Sequence, residues 1–287
     1  MAIAYRGAVN GATGITNDVV LDLTGISGLA ENDVVYICHG VATNPASSPR
    51  DDTLTVVSGA DWVRIGSELY QAGLGDDANL TVWRKVMGST PDTTVTLSSG
   101  NIASSNGCVA IAFSGVNTTQ PEDVLVTTAT GDQGSQADPP SIDYEDPDAT
   151  VLICCVSAHN GGGANTPTYP GAYTHDSSMR ALNNGTTDIT SHVGYNLTPA
   201  ADPENPGIIT MVSTNTDNSW AAITVALRSE SAAPPTPQLD IPTVPGNTLG
   251  TTIDAQVNTN FESDGTMYWL VNQTSGLTIP QVEALAD

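Results

Sequence analysis

Short runs of apolar and β-branched residues recur along the chain, each bounded by Gly, Pro, Asn or Asp. They comprise Asp18 to Thr24, Asp33 to Ala42, Thr53 to Ser58, Asn79 to Met87, Thr93 to Ser98, Gly107 to Gly115, Thr150 to Ala158, Asp188 to Leu197, Gly207 to Thr214 and Ser219 to Arg228. No segment before residue 279 holds a 3.6-residue period. Many short strands with frequent turn signals predict an all-β chain, an antiparallel β-sandwich of jelly-roll type with little helix.

The pattern breaks at residues 229–237, SESAAPPTP, where three prolines sit among small polar residues and no apolar run occurs. That composition marks a linker. It separates a β-sandwich domain over 1–228 from a second unit over 238–287. Fifty residues are half the ~100 of an immunoglobulin-like sandwich. The second unit is therefore expected to be incomplete by itself, either continuing past Asp287 or completed by a partner. Pro280 near the start of Ile279 to Asp287 favours a short helix there.

A weak repeat runs through the first domain. DVVYIC (33–38) matches TVLICC (150–155) at an offset of 117, and GCVAIAF (107–113) matches SWAAITV (219–225) at 112. Between them, Ala60 to Gly66 aligns with Ala172 to Ser178, and Leu80 to Val86 with Ser191 to Leu197. Kept order predicts an internal duplication, two halves of about four strands each packed as facing sheets, with Cys108 and Trp220 in equivalent positions.

Charge narrows the function. The 287 residues carry 31 Asp and Glu against 7 Lys and Arg, a net charge of −24, yet only 13% are charged. An ordinary soluble domain has roughly 25%. Lys85 is the only lysine and the arginines are scattered, so no basic stripe exists to neutralise phosphates, and no nucleic-acid partner is expected. The longest nearly apolar run, 149–158, is far below the roughly 18 residues of a membrane span, so no membrane partner is expected either. The N-terminal MAIAYRGAVNG has neither the basic nor the apolar region of a secretory signal, which predicts synthesis in the cytoplasm without export.

Candidate chemistry is sparse. Cys38, Cys108, Cys154 and Cys155 lie in apolar runs and read as buried thiols; adjacent Cys154 and Cys155 point to opposite faces of a strand, and no CxxC or HxxxH spacing supports zinc. His175, Asp176 and Ser177 have the residue types of a hydrolase triad, but triads meet through folding rather than adjacency. No GxSxG elbow occurs, and the Gly161 to Gly163 triplet lacks a phosphate-binding pattern. The carboxylate groups Asp51/Asp52, Asp76/Asp77, Glu122/Asp123 and Asp143/Glu145/Asp146/Asp148 miss the EF-hand spacing. They leave a weak structural Ca²⁺ site as the sole cofactor candidate, against solvated loop charge. The sequons at Asn79, Asn117, Asn184, Asn196 and Asn272 read as coincidence in an Asn/Thr-rich chain. Of the four tryptophans, Trp62 and Trp83 beside Arg and Lys are the candidate glycan contacts, against core packing. The chain is not expected to be an enzyme.

The strand segments resemble a family. Asn32-Asp33-Val34-Val35, Asp61-Trp62-Val63, Leu80 to Val86, Ile111 to Val116 and Trp220 to Leu227 are similar to β-sandwich proteins of tailed-bacteriophage virions, over most of residues 1–228. Gly265 to Val271 followed by Ile279-Pro280-Gln281-Val282 resembles the fibronectin-type repeats appended to phage tail and fibre proteins. The resemblance implies a virion structural role, a head decoration or head fibre protein on the particle exterior. Its implied partners are further copies of itself, capsid or tail proteins, and host surface glycans. It carries over no active-site residues. A tail or receptor-binding component is the rival in role, and a carbohydrate-binding or depolymerising protein the rival in class.

Overall fold

The computed structural model describes residues 2–14, 18–43, 54–72, 77–99, 105–132, 135–159, 166–183, 188–200, 202–212, 219–231, 239–240 and 256–257. The chain divides into two units, Met1–Pro235 and Thr236–Asp287, with the boundary inside the Pro-rich run.

The first unit opens with β1 (Ala4–Gly14), β2 (Val19–Asp22), β3 (Val34–Thr43), β4 (Thr55–Ser58), β5 (Val63–Gln71), β6 (Asp77–Val86), β7 (Thr94–Ser98) and β8 (Ser105–Ser114). These form an antiparallel large sheet in the order β1-β8-β3-β6-β5 and a small sheet β2-β7-β4. Pairing β1 with β8, β2 with β7 and β3 with β6 is the nested arrangement of a jelly roll. The chain then repeats it. Strands β9 (Thr127–Gly131), β10 (Gln136–Ala137), β11 (Thr150–His159), β12 (Thr166–Thr168), β13 (Arg180–Asn183), β14 (Asp188–Asn196), β15 (Ile209–Val212) and β16 (Ser219–Leu227) build a large sheet β9-β16-β11-β14-β13 and a small sheet β10-β15-β12. Every strand number advances by eight. The duplication expected from the sequence is present, but as two eight-stranded sandwiches rather than two four-stranded halves of one.

The two jelly rolls pack through their large sheets. Strand β3 faces β11, β8 faces β14, β6 faces β16, β1 faces β13 and β5 faces β9. Exchanging each strand for its repeat returns the same set of pairs, so the halves are related by a pseudo-twofold. The shared core is formed by Val34, Tyr36, Cys38, Val109, Ile111 and Phe113 of the first half with Leu152, Cys154, Val156, Ala221, Ile223 and Val225 of the second. Tyr195 stacks on Tyr5 at 4.9 Å and takes the edge of Phe113 at 5.5 Å. On their other faces the large sheets are covered by the small ones: Val35, Ile37, Ala110 and Ala112 under Val19, Leu21, Val95 and Leu97, and Ile153, Cys155 and Ala222 under Ile209 and Met211. Four layers explain why the central strands are nearly unbroken apolar runs, because both of their faces are buried. The small sheets have one buried face and alternate, as in β2, where Val19 and Leu21 point in and Val20 and Asp22 out.

Register corrects the repeat. An offset of 117 places Val34, which faces the shared core, on Val151, which faces a small sheet. A one-residue slip exchanges the faces of a strand. Keeping Cys108 on Trp220 and following partners across each sheet aligns the row Gly11–Cys108–His39–Thr81 with Gly131–Trp220–Ser157–Thr190, an offset of 118 for β3 and β11. Cys108 and Trp220 then both point toward the small sheet of their own half. Of the other two matches, Ala60 to Gly66 fails, since Val63 to Gly66 begin β5 whereas 172–178 precede β13, and Leu80 to Val86 pairs the right strands, β6 and β14, but two residues out of register, because the row places Thr81 on Thr190.

At the centre of the shared core a Cβ on Gly40 would overlap Ser191 Oγ and Val156 Cγ1, so the close approach of the sheets there requires glycine. Gly40→Ala is expected to destabilise the first unit by about 2 kcal/mol through overpacking. Urea unfolding reads this directly, and an unchanged midpoint would show that the sheets separate freely.

The hydrogen bonding of the first unit extends past Arg228, with Val116 bridged to Ser229 and Glu230 N–H donating to Gly115 O at 2.8 Å. In the second unit the described pair is β17 (Leu239–Asp240) with β18 (Gln256–Val257), antiparallel. Its fibronectin-type reading and the helix expected over 279–287 lie outside the described residues. Among these residues the only helical turns are 3-10 turns at Leu23–Gly25 and Ser177–Met179.

Candidate functional site

Trp62 and Trp83 border one core cluster. Trp83 lies on β6 opposite Arg64, Trp62 just precedes β5, and both pack half-buried against the core between the first large and small sheets. Beside them Lys85 Nζ donates to both carboxylate oxygens of Asp92, at 2.7 and 2.9 Å, closing the β6–β7 connection. Both indole N–H groups are buried without an acceptor. Glycan sites use the ring face for stacking and the polar tip for hydrogen bonding. Here the tips are turned inward, leaving at most stacking edges.

The triad-like run is a cap. Asp176 Oδ1 accepts from Ser178 N–H at 2.7 Å and from its hydroxyl at 2.5 Å, opening the turn Ser177–Met179. His175 Nδ1 donates to Val193 O at 2.7 Å, so the imidazole is spent on β14. His175 instead joins an aromatic cluster, stacked on Tyr169 at 4.7 Å, whose hydroxyl meets His192 Nδ1 at 2.7 Å. Burial lowers both imidazoles, and His192 falls well below its ordinary range. Burial likewise pushes the Tyr169 phenol well up. The cluster therefore favours the neutral form of both imidazoles.

The cysteines are buried free thiols, Cys38 and Cys154 in the shared core, Cys108 and Cys155 toward the small sheets. Burial drives Cys108, Cys154 and Cys155 well above the ordinary thiol range, the condition of an unreactive sulfur.

The carboxylates are occupied by donors. Asp123 Oδ2 accepts from Glu145 N–H at 2.5 Å and Asp146 N–H at 2.9 Å, while Arg228 approaches Oδ1 at 3.5 Å. Asp146 accepts from Asp148 and Ser229 N–H. Two acidic runs distant in sequence thus meet, but around N–H groups rather than a cation. Asp77 accepts from the Tyr70 hydroxyl at 2.6 Å. Among the described residues no group of three or more His, Cys, Asp or Glu is arranged to hold a metal ion. Asp51, Asp52, Asp76, Gly161 to Gly163 and the sequons at Asn184 and Asn272 lie outside those residues. Asn79 and Asn196 are buried, and Asn117 Oδ1 accepts from Thr119 and Gln120 N–H.

Two arrangements had no signal in the sequence. Glu122, from the connection between the halves, accepts from the Tyr36 hydroxyl at 3.0 Å and pairs with Arg84 at 2.8 Å at the edge of the shared core. Glu204 accepts from Tyr173 at 3.1 Å and Asn196 at 3.4 Å, holding the β14–β15 connection.

Comparison with protein-family models, with curated proteins and with solved structures finds no match to this chain.

Proposed function

We propose that this protein is a structural component of a tailed-bacteriophage virion, a head decoration or head fibre protein on the particle exterior. The observation that supports the reading best is the way polar chemistry is used: the described carboxylates, thiols and imidazoles considered above serve caps, ion pairs and cores that fasten two jelly rolls into one block. Jelly rolls are a common capsid architecture, although a fold alone does not assign a function. A net charge of −24 disfavours contact with packaged DNA and suits an outer position. Its partners would be further copies of itself and capsid proteins.

A tail or receptor-binding role is the second reading, favoured by the two tryptophans at one edge of the first jelly roll. Antibody raised against residues 238–287 is expected to label the heads of intact particles. Labelling confined to tails would transfer the protein to the second reading, and labelling only after the shell is opened would reject the exterior position.

A further inference from the structure

We propose that each jelly roll binds an ordered water molecule on the face of its large sheet turned toward its small sheet, at the row His39–Thr81 in the first half and the equivalent row Ser157–Thr190 in the second. In the first half His39, Asn79 and Thr81 are at most 1% exposed. His39 Nε2 lies 3.1 Å from Asn106 Oδ1, an acceptor, so Nε2 carries the proton and Nδ1 is a bare lone pair. Nδ1 has no partner, and neither do Asn79 Oδ1 and Thr81 Oγ1. The Asn79 amide group donates elsewhere, to Val41 O at 3.5 Å.

The register brings these atoms to one place. His39 is directly opposite Thr81, and Asn79 is two residues along β6 on the same face. Opposite side chains start about 5 Å apart and diagonal ones about 7 Å, a span bridged by one molecule making bonds of about 2.8 Å. Two lone-pair acceptors and one hydroxyl ask for a small molecule that donates twice and accepts once. Water does this, and buried waters typically make about three bonds. An anion would meet two acceptors. A cation would find no carboxylate among these atoms, and burial holds His39 neutral down to about 4.

The second half carries a comparable row on the same face, with its third group on the other side of the threonine, because His192 aligns with Trp83 and not with Asn79. Ser157 and Thr190 are directly opposite each other, and His192 lies two residues along β14 on the same face. Ser157 Oγ, Thr190 Oγ1 and His192 Nε2 are buried and unpartnered. A buried polar atom left unpaired is destabilising, and three lie on one face of neighbouring strands in each half.

Thr81→Val tests the assignment by its sign. With water bound, valine removes the hydroxyl that donates to it, and the melting temperature is expected to fall by about 2–6 °C. Without water, the same change replaces an unpaired hydroxyl with a methyl group, and an unchanged or raised melting temperature would overturn the proposal for that half. Thr190→Val asks the same of the second half. Should either variant not fold, a crystal structure of the wild-type chain at about 1.5 Å decides: density within hydrogen-bond reach of His39 Nδ1, Asn79 Oδ1 and Thr81 Oγ1 supports the site, and featureless space there refutes it.

Discussion

Acidification from pH 7 to pH 5 is expected to remove about 4 kcal/mol of the first unit's stability through two buried histidines, His39 and His192. Burial lowers His39 from 6.5 to about 4 and His192 well below 6.5. The unfolded chain protonates both near 6.5, whereas the folded chain keeps them neutral. The folded state therefore loses ground as pH falls below 6.5, by about 1.4 kcal/mol per pH unit for each histidine, until the folded groups themselves titrate. Denaturant midpoints measured between pH 7 and pH 4 follow the loss. His39→Gln should reduce the slope by about half, and an identical slope in that variant would remove His39 from the account. Glu122 works in the opposite direction, since burial raises its carboxyl and its protonation on acidification favours the folded state. The difference between wild type and His39→Gln isolates the histidine from this and from the general relief of acidic repulsion.

Glu122→Ala is expected to cost about 3–5 kcal/mol, a large share of the ~5–15 kcal/mol that holds a typical domain. The substitution leaves the Arg84 guanidinium charged and largely buried and takes the acceptor from the fully buried Tyr36 hydroxyl. The backbone bridge of residue 122 to Leu227 is kept, so the loss reports the side-chain contacts alone. Arg84→Met combined with Glu122→Leu should recover the part of the loss due to the unpaired charge, while the Tyr36 hydroxyl stays without its acceptor. Urea unfolding of Arg84→Met, Glu122→Leu and the double variant measures the coupling; additive losses would mean that the ion pair contributes nothing of its own.

The fold was legible where strands are central. Each of the ten apolar runs read from the sequence contains or overlaps a strand. In the first unit the strands outside those runs are β1, β5, β9, β10, β12 and β13, every one at the edge of its sheet, although the edge strands β2 and β4 do fall within runs. An edge strand packs against one neighbour and needs less apolar area, so β1 is built as AYRGAVNGATG and β9 as TTATG, with little pattern to read. The small sheets hid the second feature. In β6, Asn79 and Thr81 alternate with Ala78, Leu80 and Val82, a pattern that reads as a solvent face, yet Asn79 and Thr81 are fully covered. Alternation reports that two faces differ, not that the polar one is wet. Trp62 and Trp83 were picked out as neighbours of charge, and both border the core between the first large and small sheets with their N–H groups inward. The networks of Glu122, Asp123 and Glu204 join residues tens of positions apart and leave no local trace.

The pseudo-twofold core has a consequence for behaviour on dilution. Two separate chains sharing such a core would form a dimer whose stability depends on how much protein is present. Here both halves belong to one polypeptide, and the connection running through Glu122 keeps each at a fixed, high local concentration of the other. The block therefore stays assembled when its surroundings are diluted without limit.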